Sequence, residues 1–484
     1  MSVRNSESSE VISDAFGVIA KRMASEGLCE LAIDTFKHYY NELREGKTGL
    51  IDSTMILPVD SLPDLEKLSD SNYYTRGQEE LPHTIMIKLN GGLGTSMGLD
   101  KAKSLLTAKD DYSFIDIIVK QVSYLRSAYS CSMPLLFMNS FRTEQDTLEV
   151  MKKYPDFLSV QAKCGLPISF IQNKVPKICV KNFCPVAWNS DPEMEWCPPG
   201  HGDLYTSLVQ GGLLYKLLDC GYRYAFVSNS DNLGAVVDEK LLGYFAESGA
   251  SFLMEVADRT EADKKGGHLA CNKRDGRLLL RELAQCPESE QADFQDVSKY
   301  QYFNTNSLWL DLRALSETLK ANDNVIKLPL IRNCKNIDPN NSLSPKVYQL
   351  ETAMGAAISA FDNAKAVRVP RTRFAPVKKT DDLIVLWSDR YVLEDSGKVV
   401  QSHVCETDCI SVELDSNYFR TVPEFKKRFS KGVPSLKACK KLSIKGDVAF
   451  GRGVSVVGSV LIENSTSTTQ FVKDDAVVSC DVRW

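Results

Sequence analysis

Residues 85–104, Ile-Met-Ile-Lys-Leu-Asn-Gly-Gly-Leu-Gly-Thr-Ser-Met-Gly-Leu-Asp-Lys-Ala-Lys-Ser, constrain the chain more than any other stretch. The apolar run Ile85 to Leu89 reads as a buried strand, and it empties into a segment with four glycines in eight residues, Gly91 to Gly98. Glycine there permits positive φ and lets a ligand approach bare amides. Several N–H groups facing one concavity make an anion nest, to which Lys103 adds a full positive charge. The pattern points to a phosphate-bearing ligand at the carboxyl end of a strand, against the plainer reading of a tight turn. Neither familiar glycine motif fits. A dinucleotide fingerprint starting at Gly92 needs glycine where Met97 stands, and a Walker loop needs glycines at Met97 and Ala102.

Composition narrows the classes. At 484 residues the expectation is two or three domains. A formal net charge of −5 argues against a nucleic-acid partner. No apolar run is long enough to span a bilayer, so no membrane partner is expected. The polar stretch from Met1 to Glu10 lacks a signal-peptide core, and the expected compartment is the cytoplasm. Fourteen cysteines are scattered singly; Cys405 and Cys409 stand four apart without a second pair, so the thiols read as reduced core residues.

Val11, Ile12, Ala15, Phe16, Ile19 and Met23 keep helical spacing up to Gly27, and Ala32, Phe36, Tyr39, Tyr40 and Leu43 form a second stripe closed by Gly46. Residues 49–82, punctuated by Pro58, Pro63 and Pro82, read as an extended connection. From residue 84 short apolar runs (134–138, 224–228, 252–256) alternate with helical stretches, one carrying Phe114, Ile117, Ile118, Val122 and Leu125. That alternation implies a largely parallel sheet, with ligands bound beyond the carboxyl ends of its strands. Beyond residue 386 helical periodicity fades, and the glycine-spaced short strands of 442–463 suggest a small β-solenoid or a plain meander.

The strand ends carry chemistry. Met138 leads into Asn139-Ser140-Phe141. Val227 leads into Ser228-Asn229-Ser230-Asp231-Asn232, where Asp231 suits a magnesium ion opposite phosphates or, equally, an Asx turn. Pro198-Pro199-Gly200-His201-Gly202-Asp203 is a rigid loop before a helix starting near Leu204. Gly266-Gly267-His268, Arg281-Glu282 and Asn304-Thr305-Asn306 carry groups suited to sugar hydroxyls or to surface turns. Residues 371–379 hold four cations; Lys378 is either part of a solvated run or a second phosphate cation.

Taken together, Lys88 to Gly98, Met138 to Phe141, Pro198 to Asp203, Ser228 to Gly234, Phe303 to Asn306 and Arg373 to Lys378 closely resemble the UTP–glucose-1-phosphate uridylyltransferase (UDP-glucose pyrophosphorylase) family, over roughly residues 80–480. The resemblance implies an α/β fold: N-terminal helices (1–80), a central, largely parallel-sheet nucleotidyltransferase domain (81–385) and a C-terminal left-handed β-helix (386–484). It implies that Leu89, Asn90, Gly91, Gly92, Met138, Gln172 and Gly200 hold the nucleotide, Gln172 reading uracil. His201, Asn229, Ser230, Asp231, Gly267, Glu282 and Asn306 would meet the sugar phosphate, Asp231 would bind Mg²⁺, and Lys103 and Lys378 would be the catalytic cations. One departure stands out: the family's Gly-Pro before Lys-Ser is Lys101-Ala102 here, which implies altered loop stiffness or added charge.

The expected reaction joins UTP and glucose-1-phosphate to UDP-glucose and pyrophosphate, reversibly. The rivals are a sister pyrophosphorylase for another hexose phosphate and a non-catalytic nucleotide-sugar sensor. The oligomeric state is open, with a monomer favoured.

Overall fold

The computed structural model describes residues 16–70, 72–339, 341–405 and 410–484. The start of the first helical stripe (Val11, Ile12, Ala15), the polar N-terminus and Cys409 lie outside the described residues. Ten strands form the main sheet: β1 (Ile56–Leu57), β2 (Thr84–Asn90), β3 (Leu135–Asn139), β4 (Ser169–Ile171), β5 (Tyr224–Asn229), β6 (Phe252–Asp258), β7 (His268–Asn272), β8 (Leu278–Arg281), β9 (Tyr302–Asp311) and β10 (Ala364–Arg368). Parallel pairing runs β4-β3-β2-β5, then β9 enters antiparallel between β5 and β6, and β10 closes parallel to β6. The first half of β9 also bridges to β7, which is flanked by β8 and β1.

Strand alternation explains the layers. Ile85 and Ile87 of β2 pack with Leu136, Leu204 and Val227 on one face, whereas Met86 packs with Phe114, Phe137 and Phe226 on the other. The helix Phe114–Ala128 covers that second face, its start fixed by a capping box between Ser113 and Asp116. At the N-terminus, a helix over 16–25 and the helix Glu30–Arg44 bury Ile19, Met23, Phe36 and Tyr40 against Val175, Ile178 and Trp196. No described helix is long and apolar enough to cross a membrane.

Two expectations need correcting. The stretch 49–82 is not extended throughout: Asn72–Glu80 is a helix. Its Gly77 sits where a Cβ would lie 1.7 Å from the Glu239 carbonyl oxygen, so it permits close packing on the helix Glu239–Glu247. The cysteines among the described residues are free thiols, but only Cys197, Cys286 and Cys439 are buried core residues, while Cys29, Cys220, Cys334 and Cys480 are exposed.

The C-terminal part begins with the antiparallel pair 391–393 and 399–401 and carries the short helices Ser416–Phe419 and Val422–Arg428. Three further small sheets are paired in parallel. The first joins 411–414, 439–445, 458–463 and 482–483, the second 448–450 and 470–472, the third 455–456 and 477–478.

Candidate active site

β2 and β5 are neighbours in parallel register, Leu89 beside Asn229, so both chains leave the sheet at the same edge. Ligands in open α/β sheets bind at such strand ends. A cavity of about 310 Å³ opens there, lined by Leu89, Gly91, Gly92, Lys103, Met138, Gln172, Pro198, Gly200, His201, Asn229, Ser230 and Asp231. The one residue of that wall given no site role from the sequence is Pro198, which lies inside a loop already singled out.

Local contacts hold this wall in place. Gln172 follows β4, and its backbone N–H donates to the Asn139 carbonyl at 2.8 Å. Its side-chain amide lies so close to Gly91 that a Cβ there would stand 2.7 Å from Nε2, a close approach only glycine allows. Asn90 is buried and turns away from the cavity. Its Nδ2 donates to Asn139 Oδ1 (2.8 Å) and Thr147 Oγ1 (2.9 Å), and its Oδ1 accepts from Ser230 Oγ (2.9 Å). Asn90 therefore ties β2 to β3 and to the turn carrying Asp231. Met354 N–H donates to His201 Nδ1 at 2.9 Å, so in the neutral ring Nε2 carries the proton. Burial pulls the His201 pKa down to about 4, which keeps the ring neutral near pH 7.

Lys103 and Asp231 meet directly. Lys103 Nζ donates to Asp231 Oδ2 at 2.7 Å, with both side chains largely buried. The glycine loop returns on itself to deliver that lysine: Leu93 bridges to Ala102, and Lys103 N–H donates to the Gly92 carbonyl at 3.2 Å. Ala102 N–H donates to Asp146 Oδ2 at 2.8 Å. A proline at 102 has no N–H to give. The Lys101-Ala102 departure thus adds an anchor to the loop, while Lys101 itself is exposed.

The remaining sequence candidates stand apart from this cavity. Gly267, just before β7, and Glu282, just after β8, face each other at the open end of that strand pair; a Cβ on Gly267 would lie 2.5 Å from Glu282 Oε1, so the glycine makes room for the carboxylate. Burial pushes the Glu282 pKa up, and the charge of Lys378 pulls against it. Asn306 sits in a β-bulge of β9 at φ 57°, where it exchanges two hydrogen bonds with Asn304, Asn304 Nδ2 to Asn306 Oδ1 (2.9 Å) and Asn306 N–H to Asn304 Oδ1 (3.0 Å). Lys378 is exposed and lines a second cavity of about 520 Å³ with Gly266, Phe303 and Asp382. Burial raises the Asp382 pKa, and the charges of Lys103 and Lys378 both oppose that rise, so the two cavities are within electrostatic reach of one another. The basic stretch is not a solvated run throughout. Arg373 is buried and paired with Glu255 at 2.7 Å, and Arg371 pairs with Asp263 at 2.8 Å. Sequence reading missed Asp146 and Glu255; their signal was only that of ordinary helix and strand acids.

A model of the UTP–glucose-1-phosphate uridylyltransferase family matches residues 33–457. The chain belongs to this family. The uridylyltransferase of Solanum tuberosum is 38% identical over 428 residues, 88% of this chain and 85% of that protein. The uridylyltransferase of Encephalitozoon cuniculi is 40% identical over 409 residues, 84% and 78% of the two chains. Among solved structures, a Leishmania major UDP-glucose pyrophosphorylase mutant in complex with UDP-glucose superposes with a TM-score of 0.90 at 43% identity, covering 98% of this chain and 99% of that one. A Trypanosoma brucei UDP-glucose phosphorylase superposes at 0.89 with 42% identity, covering 97% and 100%. The chain thus shares the fold of these structures through nearly its whole length.

Proposed function

We propose that this chain converts UTP and glucose-1-phosphate, reversibly, to UDP-glucose and pyrophosphate. One observation carries the reading: a single strand-end cavity brings together the Gln172 amide, the bare Gly91–Gly92 backbone and the Lys103–Asp231 pair. An amide suits the edge of uracil, and glycine amides with a lysine suit a triphosphate. Met138, Gly200 and neutral His201 complete the nucleotide wall. Asn229, Ser230, Gly267, Glu282 and Asn306 are assigned to the sugar phosphate. The sugar phosphate supplies an anionic oxygen to attack the α-phosphorus of UTP, and pyrophosphate leaves with the electron pair of the broken P–O bond. No general base is required. The barrier is repulsion between anions and charge gathering on the leaving group, which fixed cations relieve. Lys103 is assigned to the leaving phosphates and Lys378 to the α-phosphate.

The donor set fits magnesium. Asp231 is the one carboxylate among the residues lining the cavity, and a lone carboxylate facing phosphates suits an ion that keeps several waters. When bound, Mg²⁺ offsets charge on the phosphates. Asp231 would then exchange Lys103 for the ion and leave the ammonium to the substrate.

The division into a helical part (1–80), a catalytic part (81–385) and a C-terminal part (386–484) stays part of the proposal, with Ile56–Leu57 of the first part pairing into the main sheet. Stacked parallel pairing of three short sheets supports reading the last division as a β-helix. The test is pyrophosphate release from UTP and Mg²⁺ with glucose-1-phosphate, galactose-1-phosphate or N-acetylglucosamine-1-phosphate. Turnover highest with glucose-1-phosphate is expected. Release with none of the three overturns the proposal.

A further inference from the structure

Lys88 of β2 is fully buried, a costly place for an ammonium group unless hydrogen bonds compensate. Its Nζ donates to Ser228 Oγ at 2.8 Å and to the Ala235 carbonyl at 2.7 Å, and it lies 5.9 Å from the centre of the Phe226 ring. Neither hydrogen-bond acceptor is charged. The nearby carboxylate of Glu255 is already engaged by Arg373 (2.8 and 2.7 Å) and by Trp309 Nε1 (2.9 Å). An ordinary core would place an apolar residue here.

What Lys88 holds is the segment that follows Asp231. Residues 231–238 form no helix or strand, so their backbone groups need partners from elsewhere. Two buried side chains supply them to consecutive carbonyls: Lys88 to Ala235 and Arg373 Nη2 to Val236, the latter at 2.8 Å. The same segment is sewn to the stretch leading to Lys378. Asn232 Nδ2 donates to the Arg373 carbonyl (3.1 Å), Ala375 N–H donates to Asn232 Oδ1 (3.0 Å), and Val377 N–H donates to the Asp231 carbonyl (3.2 Å). Lys88 therefore stands under the junction of β2, the end of β5 and the segment leading to Lys378.

We propose that Lys88 is a positioning residue for the transfer reaction, setting the Asp231 turn, and through it the segment leading to Lys378, in register with the glycine loop. The proposal rests on the uridylyltransferase reading. Lys88 touches no lining residue of the nucleotide wall through its ammonium group, so its loss should affect turnover and spare nucleotide binding.

The full-length chain is assayed first for pyrophosphate release, then compared with Lys88→Met, Ser228→Ala and the double variant. Titration calorimetry with UTP and thermal melting accompany the kinetics. Lys88→Met is expected to lower kcat about thirtyfold, as a displaced charge would. UTP affinity should stay within about twofold of the parent. Ser228→Ala should lower kcat about threefold, and the double variant should be no worse than Lys88→Met, because the two groups act as one unit. A parent chain that releases no pyrophosphate overturns the functional reading and this proposal with it. With an active parent, a folded Lys88→Met variant with kcat within twofold of the parent, or with UTP affinity lost in step with kcat, overturns the proposal alone. Should Lys88→Met fail to fold, unchanged kcat in Ser228→Ala overturns it.

Discussion

The wall assigned to the nucleotide is assembled from the ends of neighbouring parallel strands. The wall assigned to the sugar takes Gly267 and Glu282 from a strand pair, Asn306 from a bulged antiparallel strand and Lys378 from a late segment. The first wall rests chiefly on β4, β3, β2 and β5 pairing in order, which puts Leu89, Gly91, Gly92, Met138, Gln172 and Asn229 to Asp231 within a residue or two of their strand ends; Lys103 and the 198–201 loop are folded onto that edge. The second depends on contacts made late in the chain, and its cation is exposed. Lys103 is already neutralised by Asp231 at 2.7 Å, whereas among the described residues Lys378 Nζ makes no ion pair. One wall is thus poised by internal contacts, and the other presents a charge for the ligand to complete.

Four experiments would break or sharpen that contrast. Lys103→Ala removes the cation of the first wall and strands Asp231; kcat should fall about 10³-fold, and Lys378→Ala about 10²-fold, with melting temperatures close to the parent. Equal effects in steady-state pyrophosphate assays would erase the difference between the walls, and near-normal turnover in either variant would sink that lysine's role.

His201 reports how dry the nucleotide wall is. Its folded pKa of about 4 lies below the unfolded 6.5 because of burial. The unfolded chain therefore binds more protons between those values, and the stability linked to His201 is full above pH 6.5 and lost as pH falls through 4. Buried Asp203, pushed up to about 6 by burial, acts with the opposite sign. Denaturation of the parent and of His201→Gln at a series of pH values isolates the histidine. The parent should lose up to about 3 kcal/mol relative to the variant between pH 7 and 3. A constant difference would show a solvated ring.

Adding one methyl to each wall should split the Michaelis constants. Gly91→Ala crowds Gln172 and should raise KM for UTP about tenfold, while Gly267→Ala crowds Glu282 and should raise KM for glucose-1-phosphate by a similar factor. Both variants affecting the same substrate would undo the assignment of the walls. The smallest effect is expected from Asp146→Ala, which takes the acceptor from Ala102 N–H. KM for UTP should rise about fivefold with kcat intact. No change would mean that the loop is set without this anchor.

The nucleotide wall was legible in the sequence because its chemistry is local. A strand that ends in glycines, and another that ends in Asn229-Ser230-Asp231, announce themselves by composition and by the rule that ligands sit at strand ends. The helix Asn72–Glu80 was not legible, because Pro58, Pro63 and Pro82 mark the stretch as an extended connection and the packing of Gly77 on the helix 239–247 exists only in the folded chain. Arg373 was placed in a solvated run because nothing near it in sequence hints at Glu255, 118 residues away.

The chain by itself determined the alternation of strands and helices, the glycine loop after β2, and the set of lysines, amides and carboxylates that a uridylyltransferase requires. The tertiary structure alone decided which of these meet. It brought Lys103 to Asp231 across 128 residues, turned Asn90 inward to hold Ser230, and gave Ala102 the carboxylate of Asp146. It also set Lys88 beneath the loop after Asp231. The reason is physical: periodicity and turn chemistry act over a few residues and can be read along the chain. Pairing of buried charges and satisfaction of loop carbonyls depend on groups distant in sequence, which only the packed fold brings within hydrogen-bond distance.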